Sequence, residues 1–233
     1  MKPNCAFLAV LLSIALMFRE ADPYSSAATD HIVITNNFDG RGPNTGTVFS
    51  LGGTNSNPTL HEKGTLDTGV SMTNTAVSPA VAMSSHGADI CVYLSNPLVD
   101  GNEISAFVYP SRSPVGNYSD PTITNSGIGI ILFARGNYLF GGYGNNDSYV
   151  GYLAVWRIRS GCALELLSTF TTIYPITGMA VTPDGKTLVN SYFTGNGEIN
   201  GVIHSQFLGA DNSPNMVHME LMVFSLLMAS GLT

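Results

Sequence analysis

The segment ITGMAVTPDGKTLVNSYFTGNG, Ile176 to Gly197, constrains this chain more than any other stretch. A short apolar run, Gly178 to Pro183, meets Asp184-Gly185, and Thr187 to Tyr192 returns as a second run. Asp-Gly marks a tight hairpin because glycine accepts the positive φ that such turns require. Pro183, Asp184, Gly185 and Lys186 are therefore read as a structural turn motif. The same order recurs upstream. In Ala80 to Pro110 an apolar run, a Ser-His-Gly-Ala-Asp turn, the run Cys91 to Asn96 and a polar loop lead to a third strand, Ile104 to Tyr109. Gly127 to Ile158 repeats it with Arg135-Gly136-Asn137 as the turn, and His31 to Leu51 carries its second half. The return strands end at Asn36, Asn96, Tyr143 and Tyr192, at separations of 60, 47 and 49 residues. Propeller blades of four strands repeat at roughly 40 to 50 residues; the longer first interval fits if NTAVSPAVAMSS carries an insertion or a degenerate turn. A β-sandwich would explain strands and turns, but not the recurrence of their order. The pattern predicts an all-β chain, a β-propeller of four-stranded blades with about four blades present.

Composition agrees. Hydrophobic residues make up 44% of the chain and charged ones only 11%, against about 25% in ordinary domains. With 25 Gly and 12 Pro, this is the make-up of short strands joined by polar turns. The formal charge is −7, with no basic cluster. That excludes nucleic acid as a partner, since such a surface needs clustered Lys and Arg to displace counterions.

The N-terminus has the form of an export signal: Lys2, an apolar run from Ala6 to Phe18, then the small residues Ser25 to Ala28. That run is short of the roughly 20 residues that span a bilayer. The expectation is a signal peptide over 1–28, a periplasmic or extracellular protein, and no membrane span after removal of the signal. Residues 29–200 then form a partial propeller. Residues 201–233 read as a tail outside the repeat, without an Asp-Gly turn and with four of the nine methionines in Asn212 to Thr233. A truncated or frame-shifted gene end accounts for such a tail; an unusual terminal cap is the alternative. Export makes a disulfide between Cys91 and Cys162 permissible, beside the alternative of two separately buried thiols.

MAVTPDGKTLVNSY resembles the YVTN-type repeat of bacterial lactonase-like β-propellers, and HIVITNN and ICVYLSN are similar to its Y-V-x-N portion. The resemblance covers about residues 31 to 198. It implies an exported seven-bladed propeller of the superfamily that holds cycloisomerase-type 6-phosphogluconolactonases. Seven blades at this period need roughly 300 to 350 residues, and about 205 follow the signal.

Catalytic motifs are sparse. The chain has no G-x-S-x-G elbow, no C-x-x-C or His pair at ligand spacing, and no calcium-loop pattern in NNFDG or GNNDS. No cofactor or metal is expected. Ser85-His86 is adjacent only in sequence; His86 takes a turn position, and His31, His61, His204 and His218 are scattered. A lactonase would need cationic and acid/base groups gathered at the central channel. Arg112, Arg135, Arg157 and Arg159 are the available cations, and Glu103 and Glu165 the candidate bases. None matches a catalytic set of those relatives, so the catalytic residues are unassigned. The first reading is an exported binding or scaffold module for a partner protein, a glycan or a small-molecule ligand. A lactone hydrolase is the second, and a non-functional truncated remnant the third.

Overall fold

The computed structural model describes residues 31–37, 43–54, 57–71, 80–98, 101–123, 128–144, 150–172, 174–182, 187–192, 200–208 and 214–225. Backbone packing separates Met1–His31 from Ile32–Thr233, and the sheets belong to the second unit, with His31 opening its first strand. The predicted signal peptide lies outside the described residues.

Four antiparallel sheets follow one another along the chain. The first is β1 (His31–Asn37), β2 (Pro43–Thr54) and β3 (Asn57–Ser71). The second is β4 (Val81–His86), β5 (Asp89–Leu98), β6 (Gly101–Tyr109) and β7 (Ser113–Ser119). The third is β8 (Ile128–Arg135), β9 (Tyr138–Gly144), β10 (Gly151–Ile158) and β11 (Leu164–Thr172). The fourth is β12 (Ile176–Val181), β13 (Thr187–Tyr192), β14 (Asn200–Leu208) and β15 (Pro214–Ser225). In each sheet strands adjacent in sequence are adjacent in space. The repeat read from the sequence is thus one sheet per unit, an all-β array of propeller blades. The return strands are β1, β5, β9 and β13; the last three are each second in a four-stranded sheet, and β1 begins the three-stranded one. Among the described residues the helical content is one 3₁₀ turn, Ser160–Cys162.

The tail expected over 201–233 is strand where it is described: 201–208 and 214–225 belong to β14 and β15 of the fourth sheet. Strands β14 and β15 pair from Asn200↔Ser225 to Leu208↔Pro214 and complete the fourth sheet. The methionines concealed it: apolar residues run through Val217 to Phe224 with only His218 and Glu220 between them, and flexible methionine suits a strand as well as a helix.

The blades stack through both faces of their sheets. Alternate residues of β5 divide between two cores: Val92 and Leu94 pack with Ile34, Val48 and Leu66 of the first sheet, while Cys91 and Tyr93 pack with Leu139, Ala154 and Trp156 of the third. Strands β9 and β10 divide likewise, with Tyr138, Phe140, Leu153 and Val155 facing Ile176 and Leu188 of the fourth. A strand buried on both sides shows no polar alternation, which is why the return strands read as continuous apolar runs. The first strands of successive units adjoin, β4 against β8 and β8 against β12. Close approach there uses Gly142, where an added Cβ would lie 2.8 Å from Ile176 Cγ2.

Candidate functional site

In an antiparallel blade, the connection between second and third strands leaves from the same end as the link to the next blade. That end carries a buried polar network between the first two sheets. The Asn36 side-chain amide N–H donates to the carbonyls of Ala80 (2.9 Å) and Ser95 (3.0 Å). Asn44 donates to Ser95 O (3.1 Å) and to Asn96 Oδ1 (2.7 Å). Because main-chain carbonyls only accept, the amide orientations of Asn36 and Asn44 are fixed. Asn96 donates to Ser105 Oγ (2.7 Å), which donates to Asn117 Oδ1 (2.6 Å). Asn36, Asn44 and Asn96 therefore clamp the first sheet to the second.

The seam between the second and third sheets holds the Cys91–Cys162 disulfide, with the two Cα atoms 5.2 Å apart. It ties β5 to the 3₁₀ turn after β10. The Tyr93 hydroxyl donates to the Cys162 carbonyl at 3.3 Å; burial, reinforced by Tyr118, raises its pKa above the usual phenol value and keeps it a donor. Tyr118 packs edge-on against Trp156, ring centroids 6.5 Å apart. Tyr143 is buried in the same seam; desolvation raises its pKa, and the Asp120 carboxylate adds to the effect.

Asp120, 4% exposed, follows β7 and starts the link toward β8. Its Oδ1 accepts the Thr122 amide (2.9 Å) and hydroxyl (2.6 Å), and its Oδ2 accepts the Thr169 hydroxyl. A bulge in β11 makes the last bond available. Val155 pairs with Ser168 but Trp156 pairs with Leu166, so Leu167 is the extra residue. Before the bulge Leu164 and Leu166 face the second sheet. After it the parity changes and Thr169 and Thr171 take that side, while Leu167 and Phe170 pack toward the fourth sheet. The re-aimed hydroxyls border a groove of about 500 Å³ lined by Thr122, Ser168, Thr169 and Thr171 together with Tyr152, Leu166 and Leu167. No charged side chain lines it. Such a wall offers hydroxyl donors and acceptors beside a phenol ring and aliphatic surface.

The turn motif Pro183, Asp184, Gly185 and Lys186 lies outside the described residues. Its flanks are described: Val181 pairs with Leu188, and the Thr182 amide donates to Thr187 O at 2.8 Å. The candidate cations and bases do not converge. Glu103 lies near the start of β6, whereas Arg112 sits in the turn past its far end, and six residues of strand span about 20 Å. Arg159 and Glu165 pair with each other, both half-exposed, flanking the 3₁₀ turn. Arg157 lies within β10, and Arg135 closes β8. His86 closes β4 with Nδ1 3.1 Å from Asn137 Oδ1; exposed His61 meets Thr59 Oγ1 at 3.2 Å. Among the described residues no group of three or more His, Cys, Asp or Glu could hold a metal ion, and no helix is long and apolar enough to cross a membrane.

Sequence reasoning passed over Asp120 and Thr169 as a pair. Asp120 precedes Pro121, as an ordinary turn carboxylate would, and Thr169 faces it only through a one-residue bulge that composition does not announce.

No protein-family model matches the chain, and no curated protein matches it. Solved structures do. A proposed 6-phosphogluconolactonase from Bacteroides uniformis superposes with a TM-score of 0.52 at 16% identity, over 84% of this chain and 54% of that one. A eukaryotic initiation factor aligns at TM-score 0.35 and 9% identity, over 83% of this chain and 56% of that chain. The first likeness extends to the fold alone, and this chain spans about half the length of that protein.

Proposed function

We propose that this chain is an exported binding module of the YVTN, lactonase-like propeller type, and that its ligand is a neutral, hydroxyl-rich molecule such as a glycan. The observation that carries this reading is the uncharged, hydroxyl-lined groove over the Asp120–Thr169 contact. Binding residues concentrate where a rigid sheet scaffold holds them, and here a buried carboxylate fixes two of the groove's threonines. Export follows from the signal-like N-terminus and accords with the Cys91–Cys162 disulfide. Profiling the full chain on an array of neutral oligosaccharides, followed by calorimetry of the best binder, tests it. Saturable binding lost in Tyr152→Ala is expected. Absence of binding to every neutral glycan would overturn it.

The second reading, a lactone hydrolase, is favoured by the likeness to a proposed 6-phosphogluconolactonase. Against it stand the scattered positions of Arg112, Arg157, Arg159, Glu103 and Glu165. Turnover of a lactone panel by the purified chain decides between the two.

A further inference from the structure

The buried Asp120 carboxylate stands behind the groove wall, and its oxygens are reached by the Thr122 amide, the Thr122 hydroxyl and the Thr169 hydroxyl. A carboxylate only accepts, so each of the two threonines commits its single hydroxyl hydrogen to Asp120. Thr122 and Thr169 also line the groove. What their hydroxyls have left to offer there is oxygen lone pairs. Donation to a charged acceptor makes those oxygens better acceptors in turn. Among the described residues no cation pairs with Asp120, and its charge is felt across the seam at Tyr143. The other lining hydroxyls, those of Tyr152, Ser168 and Thr171, can both donate and accept.

We propose that Asp120, acting through Thr122 and Thr169, gives the groove a polarity: it takes a saccharide that donates to these two oxygens, from a hydroxyl or an amine, and excludes acidic sugars. This rests on the binding role proposed above and adds which saccharides bind. An ammonium group suits the site on three counts, because it only donates, carries the opposite charge and can lie over the Tyr152 ring. A carboxylate or sulfate fails on the first two. It brings acceptors to acceptors, and a second negative charge beside one that is held away from water. Asp120 touches no ligand in this scheme; it is a positioning residue that fixes where two hydroxyl hydrogens lie.

The test presents the full chain, at physiological salt, with the neutral oligosaccharides of the array, each beside its 6-amino and its 6-carboxyl form. The three forms differ at one position: the amine only donates, the hydroxyl does both, and the carboxylate only accepts. For the oligosaccharides that bind, affinity should fall in that order, by about tenfold or more from first to last, the equivalent of one hydrogen bond to a charged group. Asp120→Asn removes the charge and turns one acceptor into a donor, which releases a threonine hydrogen to the groove. It should narrow the range, whereas a merely structural loss would lower all three affinities by one factor. A carboxyl form that binds as well as its neutral parent overturns the proposal, even where the variant does not fold. An unchanged range in folded Asp120→Asn does the same. Failure of every neutral oligosaccharide to bind is a separate outcome, which overturns the binding role itself and this proposal with it.

Discussion

The guanidinium of Arg112 fills the space that a side chain at position 64 would need. Arg112 leaves the β6–β7 turn, crosses to the first sheet and donates from Nη1 to the Lys63 carbonyl at 2.9 Å. A Cβ built on Gly64 would collide with that same Nη1. Gly64 also holds φ at +134°, a region L side chains rarely adopt. Gly64→Ala therefore suffers two penalties, backbone strain of about 1–3 kcal/mol and displacement of Arg112. Arg112→Ala alone removes one exposed contact and should cost less than about 1 kcal/mol. A double-mutant cycle in urea separates the penalties: the double variant recovers the collision and retains the strain. Strict additivity would show that Arg112 does not occupy that space in solution.

The Cys91–Cys162 bond links positions 71 residues apart. On the chain-entropy account, a cross-link of that span restrains the unfolded ensemble by about 4 kcal/mol. The bond also fastens the β10–β11 connection onto β5, so its loss should loosen the second seam first. Cys91→Ser/Cys162→Ser, or reduction with dithiothreitol, is expected to lower the urea midpoint with a drop of that order. Hydrogen exchange should rise in β5 and Ser160–Cys162 before it rises in β2. An unchanged midpoint after complete reduction, checked by mass spectrometry, would remove the bond from the stability account.

Thr169→Val keeps the shape of the side chain and deletes the hydroxyl that Asp120 Oδ2 accepts. The carboxylate is buried and keeps only the Thr122 donors. Leaving a buried charged acceptor short of a partner costs about 1–3 kcal/mol or more. Asp120→Asn should cost a comparable amount, and combining the two should cost less than their sum, since they share one bond. Additive losses in thermal or urea unfolding would mean that the two side chains act independently.

The architecture was legible because blade formation depends on order and turn chemistry, both of which are written along the chain. Return strands ending near Asn36, Asn96, Tyr143 and Tyr192 landed on β1, β5, β9 and β13. The fourth sheet's outer strands were not read, because methionine suits helix and strand alike and Asn200 begins β14 beyond the last Gly-rich stretch. The groove was less accessible still. Its geometry depends on Leu167 as the extra residue of a bulge, which moves Thr169 to Asp120 across 49 positions of sequence. No local periodicity reports such a shift. The asparagine clamps show the same limit: Asn36 and Asn96 read only as the ends of return strands, yet Asn36 and Asn44 reach the main-chain carbonyls of Ala80 and Ser95 in the next sheet, and Asn44 donates to Asn96 Oδ1.

Glu103 provides the pH test. It lies near the start of β6, opposite Asn96 and Ser119, half-buried. Burial raises its pKa above the ordinary carboxylate value, because removal from water penalises the charged form. The native state therefore holds this proton more tightly than the unfolded chain. By linkage, stability falls with rising pH where the native state binds the extra proton. The contribution of Glu103 is fully present below its unfolded pKa, about 4.3, and is lost as pH rises through the higher folded value. Glu103→Gln, neutral at every pH, should show a higher urea midpoint than wild type at pH 7. That advantage should shrink toward pH 4 and below as the wild-type carboxyl becomes protonated. Parallel wild-type and variant curves from pH 3 to pH 8 would mean that Glu103 is as well solvated in the folded chain as in the unfolded one.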